Sequence, residues 1–102
     1  MNRVQDLLRR WVWSGRLRKQ ACSHLTLIQD VTPSASGCEE CLAIGDTWVH
    51  LRLCLICGHV GCCDESKNKH ATQHFHATGH PVIQSLEPGE NWRWCYVDER
   101  TL

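Results

Sequence analysis

No apolar run in this sequence is long enough to cross a bilayer, and none that could serve as a signal peptide opens it. A membrane-spanning or secreted protein is therefore not expected, and the cytoplasm is the expected location. That absence also bears on the eight cysteines, which could form four disulfides in a secreted chain but stay reduced in a cytoplasmic one. Net charge is lacking as well, with eleven basic side chains against eleven acidic ones. The sum hides an asymmetry: residues 1–20 carry six basic side chains and one acid, which leaves the rest of the chain five charges negative. At 102 residues the chain has room for one domain. A lone hydrophobic core of that size is only modestly stable, so metal is expected to make up the difference.

What is present is a run of soft ligands. Cys38-x2-Cys41 is followed by Cys54-x2-Cys57, then by Cys62, His70, His74 and His80, and two tetrahedral zinc sites need eight ligands. Each Cys-x2-Cys knuckle places two thiolates where one ion can hold both. A set of buried free cysteines and surface histidines would rarely return ligand spacing three times over. The spacing leaves the pairing open, because His70 and His74, on adjoining turns of one helix, could share an ion or serve two. Cys22-Ser23-His24 binds metal only if two further ligands come from elsewhere.

Residues 2–14 read as a basic amphipathic helix, with Val4, Leu7, Leu8, Trp11 and Val12 on one stripe, Asn2 as cap and Gly15 as stop. Its apolar stripe could pack on the zinc domain, mediate self-association, or meet an acidic partner or membrane surface. Residues 30–37 form a loop. Residues 42–44 and 47–53 read as strands around Gly45-Asp46, with Trp48, His50 and Arg52 on one face and Val49, Leu51 and Leu53 on the other. Residues 54–63 form a metal loop, and residues 65–77 a helix stopped by Gly79-His80-Pro81. Residues 82–86 and 92–97 form a strand pair joined at Glu87-Pro88-Gly89-Glu90. In the last strand Trp92, Trp94 and Tyr96 share a face, and Cys95 points the other way, free to join a metal site beneath.

From Cys22 to Asp98 this order of ligands and aromatics resembles the ubiquitin-protease-type zinc finger, also called the UBP or polyubiquitin-associated zinc finger. The matching motifs are Cys22-Ser-His24, Cys38-x2-Cys41, Trp48, Cys54-x2-Cys57, Cys62, His70, His74, Gly79-His80-Pro81 and Trp94-Cys95-Tyr96. The resemblance implies an α+β fold: a small zinc-stabilised domain with a twisted antiparallel sheet, helices and cross-braced zinc sites. The finger would span residues 21–102, preceded by the amphipathic helix within 1–20. It implies one zinc held by Cys38, Cys41, Cys62 and His70, and a second by Cys54, Cys57, His74 and His80. A third would be held by Cys22, His24 and Cys95, with Asp98 where the family has its last cysteine. A carboxylate oxygen binds zinc at about 2.0–2.2 Å, so Asp98 is expected to complete that site. The alternatives are an empty site beside a solvated Asp98, or closure by water, Cys63 or His59.

The family's ubiquitin-binding members take the free C-terminal Gly-Gly of ubiquitin into an aromatic-walled pocket with an arginine after the Cys-Gly pair. Trp48, Trp94 and Tyr96 match the aromatic and hydroxyl positions; the arginine is missing, and Asp64 and Glu65 follow Cys63 instead. Two acids would repel a terminal carboxylate unless a cation offsets them, and alternation nominates Arg52. The expected function is thus a non-catalytic, zinc-binding recognition module, with Trp48, Arg52, Trp94 and Tyr96 receiving the C-terminal tail of ubiquitin or a ubiquitin-like protein. The alternative is a structural, partner-docking module that has lost Gly-Gly binding, its Trp48 and Trp94 serving as core. Nucleic-acid binding is disfavoured because the finger is acidic and has no basic helix for a groove. Hydrolysis is disfavoured because a zinc with four protein ligands leaves no position for water.

Overall fold

The computed structural model describes residues 22–102. The helix expected over residues 2–14 lies outside them. A 3-10 turn, Ser23–Leu27, leads through a loop to helix α1 (Glu39–Ile44). Strands β1 (Leu51–Cys54) and β2 (Val60–Cys62) follow, then helix α2 (His70–Thr78), and strands β3 (Val82–Ser85), β4 (Arg93–Cys95) and β5 (Arg100–Thr101). The five strands form one antiparallel sheet in the order β2-β1-β3-β4-β5. No helix among the described residues is long and apolar enough to cross a membrane.

The strand expected over 42–44 is helical. Cys38 acts as N-cap, its sulfur accepting from the Cys41 N–H, Glu39 and Glu40 occupy the first turn, and Gly45 closes the helix at φ 71°. The first metal knuckle is therefore a helix start. The strand expected over 47–53 is shorter and begins at Leu51, because the Val49 N–H donates to the Ser66 hydroxyl rather than to a strand. The helix expected from residue 65 begins at His70, after Lys69 adopts a left-handed conformation at φ 51°. Strand β2 lies in the expected metal loop and pairs with β1 as Leu53↔Val60 and Leu51↔Cys62. The β3–β4 hairpin is where the sequence placed it.

The core is small: Leu53, Leu55, Val60 and Val82 are buried together, with Ile28, Val31, Leu51, Leu86 and Leu102 packed around them. Four buried aliphatics at about 1.5–3 kcal/mol each stabilise a domain of this length only marginally, which leaves a structural part for the cysteine clusters. Helix α2 packs on β1 and β2. It comes close because Gly61 has no side chain; a Cβ there would lie 2.7 Å from the Ala71 nitrogen and 2.8 Å from its Cα.

Candidate metal centres and the adjoining groove

All eight cysteines are free thiols. Seven of them, all but Cys63, gather with four histidines and Asp98 at three places, with every donor atom in a group within 4.8 Å of the others. In the first group, His70 Nδ1 lies 3.2 Å from Cys38 Sγ, 3.4 Å from Cys41 Sγ and 3.6 Å from Cys62 Sγ. Cys41 and Cys62 sulfurs are 4.0 Å apart, twice a disulfide bond of about 2.05 Å. Bonds of about 2.0–2.3 Å to a central zinc give tetrahedral edges of this length, so the donor set and its spacing fit the ion. The Cys62 sulfur also accepts from the His70 N–H at 3.2 Å, and the Asn68 amide approaches Cys41 Sγ at 3.6 Å.

The second group is Cys54, Cys57, His74 and His80. Cys54 Sγ is 3.6 Å from His80 Nδ1, and Cys57 Sγ is 3.3 Å from His74 Nε2. Cys57 is exposed, so this group is more open than the first. The adjacent histidines of α2 thus belong to different groups, the split that tertiary packing makes between two turns of one helix.

The third group joins the chain start of the described region to its end. His24 Nδ1 is 3.2 Å from Cys22 Sγ, 3.4 Å from Cys95 Sγ and 3.5 Å from Asp98 Oδ2. The Asp98 N–H donates to Cys95 Sγ at 3.4 Å. Asp98 thus stands at the fourth corner, while Cys63 is hydrogen-bonded to Ser66 and His59 lies against His74.

The electrostatics of these groups call for a cation. Burial, reinforced by the neighbouring Cys41 and Cys62 sulfurs, pushes the Cys38 thiol up to about 12. Burial and the Asp98 carboxylate push Cys22 up to about 11, and burial raises Cys54. Asp98 is held below the usual carboxylate range by its hydrogen bond with Cys22 and by His24 and Arg100. Burial, with His59 and His80 beside it, lowers His74 and keeps it neutral and able to coordinate. A divalent ion supplies the charge that lets such thiols ionise.

Beside the metal groups runs a groove of about 280 Å³ lined by Arg52, Ile83, Trp92, Trp94, Tyr96, Cys63, Asp64 and Glu65. Three of the four peptide-binding candidates meet here. The Arg52 guanidinium lies 4.6 Å from the Trp92 ring and donates to the Leu51 carbonyl at 3.0 Å and the Ser85 hydroxyl at 3.3 Å. Tyr96 is stacked on Phe75 at 4.7 Å, and its hydroxyl lies 3.3 Å from that of Thr72, which donates to Asp64 at 2.6 Å. Burial raises the Tyr96 hydroxyl above its ordinary value, which keeps it a donor.

Trp48 is elsewhere. Its indole tucks under Gly37 and packs on Cys38, Cys41 and Cys62, and it lines a separate hollow with Leu42, Gly45, Asp46 and Thr47. Trp48 therefore does not join Trp94 in one pocket, because β1 begins three residues beyond Trp48 and strand alternation does not extend back to it. Trp92, read from the sequence as part of an aromatic strand face, supplies the second indole. Ile83 was not anticipated; its pairing opposite Trp94 across the β3–β4 hairpin brings it in.

A family model described as the Zn-finger in ubiquitin-hydrolases and other protein matches residues 38–102. This chain belongs to the UBP-type zinc finger family. It is 34% identical over 82 residues to ubiquitin carboxyl-terminal hydrolase 44 of Danio rerio, covering 74% of this chain and 11% of that protein. It is 31% identical over 88 residues to the RING finger protein ETP1 homolog of Schizosaccharomyces pombe, covering 86% of this chain and 14% of that one. The chain therefore spans only a small part of the curated relatives it matches. The solution NMR structure of protein RPA1320 from Rhodopseudomonas palustris is 62% identical, with a TM-score of 0.76 over 83% of both chains. The family and the three clusters together make this a zinc-binding module, and the shared segment is a zinc finger rather than a catalytic domain.

Proposed function

We propose that this zinc finger is a non-catalytic recognition module whose groove receives the free C-terminal Gly-Gly of ubiquitin or a ubiquitin-like protein. The observation that carries this reading is the meeting of Arg52, Trp94 and Tyr96 in one groove of about 280 Å³. Aromatic walls offer flat apolar faces to a chain end without side chains. Arg52 still has donors beyond those given to Leu51 and Ser85, and they attract a terminal carboxylate; the Tyr96 hydroxyl can donate to a peptide carbonyl. Three zinc ions, one per quartet, hold the sheet that carries these side chains, and the reduced thiols suit the cytoplasm.

One observation favours a second reading, a docking module without Gly-Gly affinity: Asp64 and Glu65 line the same groove as Arg52 and oppose an incoming carboxylate. Titration with a short peptide ending in free Gly-Gly separates the two, followed by tryptophan fluorescence. The first reading expects a saturable change that amidation of the C-terminus abolishes and that Arg52→Ala weakens at least tenfold. A flat titration, or equal binding of the acid and the amide, overturns it.

A further inference from the structure

His59 is not among the twelve residues of the three quartets, yet it is 8% exposed and lies directly against one of them. Its ring stacks on that of His74, with centroids 4.0 Å apart and planes 4° from parallel. Its Nε2 is 2.7 Å from Glu40 Oε2. Glu40 stands in α1 between Cys38 and Cys41, two ligands of the other cross-braced quartet. The His59 carbonyl also accepts from the Cys54 N–H at 2.8 Å, so its own backbone is tied to the second knuckle. A continuous line of contacts thus runs from α1 through Glu40 and His59 to the ring of His74.

We propose that Glu40 and His59 are positioning residues that fix the orientation of the His74 imidazole for zinc in the quartet Cys54, Cys57, His74 and His80. An imidazole can rotate about its Cβ–Cγ bond, and this rotation is broad rather than confined to sharp wells. A parallel ring at 4.0 Å restricts it, holding His74 Nε2 toward Cys57 Sγ. His59 is restrained in turn by donating its Nε2–H to the Glu40 carboxylate, the kind of outer hydrogen bond that sets ring orientation around bound metals. The need for such a restraint is greatest here, because Cys57 is exposed and packing alone does not enclose this quartet. Since Glu40 belongs to the helix that starts at Cys38, displacement of α1 also releases His59, and loss of one ion loosens the other's ligand. This inference is independent of what the groove binds.

The test uses the zinc-loaded full chain and its Glu40→Ala, Glu40→Gln and His59→Ala variants. Zinc release to a chromogenic chelator is followed together with imidazole nitrogen NMR signals of the ligand histidines. For Glu40→Ala and His59→Ala, one ion is expected to leave about 10–100-fold faster than in the parent, in line with the usual cost of removing an outer partner. The metal-bound nitrogen signal of His74 should weaken while those of His70 and His24 persist. Glu40→Gln, whose amide oxygen still accepts from the His59 Nε2–H, should lie near the parent. Glu40 is partly exposed, so its variants test the idea even where His59→Ala does not fold. Parent release rates in Glu40→Ala, equal acceleration of every ion, or loss of the His70 signal before that of His74 would each overturn it.

Discussion

The substitution Gly61→Ala puts one methyl group where the fold has no room. The added carbon would lie 2.7 Å and 2.8 Å from the backbone nitrogen and Cα of Ala71, and 3.0 Å from His59 Cε1, where ordinary contact begins at 3.4 Å. The shortfall of about 0.6–0.7 Å is against main chain, which has no rotamer to change, so strand β2 and helix α2 must separate. Overpacking of this kind costs typically about 1–3 kcal/mol, and a backbone clash belongs at the upper end. Helix α2 carries His70 and His74, and metal distances tolerate deviations of about 0.2 Å, so the same shift should impair two metal sites together. Gly45→Ala is the control: no atom lies within 4 Å of its added carbon, and only the left-handed backbone at φ 71° resists it, at about 1–2 kcal/mol. Urea unfolding at fixed free zinc, read by tryptophan fluorescence, and zinc release to a chelator are the assays. Gly61→Ala should show the lower midpoint and faster loss of two ions, whereas Gly45→Ala should keep parent release rates. A Gly61→Ala protein with a higher urea midpoint than Gly45→Ala, or with unchanged zinc release, would refute this account of how α2 is seated.

Acid should strip the metal. With Cys38 pushed up to about 12 and Cys22 to about 11 in the metal-free fold, binding displaces protons, so apparent zinc affinity should rise with pH when measured by chelator competition between pH 6 and 8. Without metal the sign reverses: these raised thiols favour the fold below their ordinary value of 9.0 and cease to do so as pH climbs through about 11 and 12, so any metal-free fold should weaken in alkali. Asp98→Ala should lower zinc content by one ion per chain in elemental analysis, and Asp98→Cys should restore it with slower release; an unchanged content in Asp98→Ala would remove Asp98 from the ligand set.

The pairing of donors was legible in the sequence because their spacing is local: Cys38-x2-Cys41 and Cys54-x2-Cys57 each bring two sulfurs into one cluster. The β3–β4 hairpin was legible for the same reason, since Trp92, Trp94 and Tyr96 alternate with Cys95 around a turn of Glu87-Pro88-Gly89-Glu90. Helix α1 was misread as strand because its stop, Gly45, resembles a hairpin turn, and the capping by Cys38 has no sequence signal apart from the metal motif itself. Strand β2, only three residues long at Val60–Cys62, was hidden inside the ligand loop over 54–63, too short to show a period.

Short-range spacing therefore determined the chemistry of this protein by itself: soft donors in pairs, and an aromatic strand with one cysteine turned away from it. Only the tertiary structure decided how those parts are shared out. It separates Trp48 from the groove, seats Trp92 beneath Arg52, and places His59 on His74, because each of these placements depends on segments far apart in the sequence. Such placements depend on where a strand begins and how closely a helix can approach it, and those positions are set by packing across the whole domain rather than by neighbouring residues.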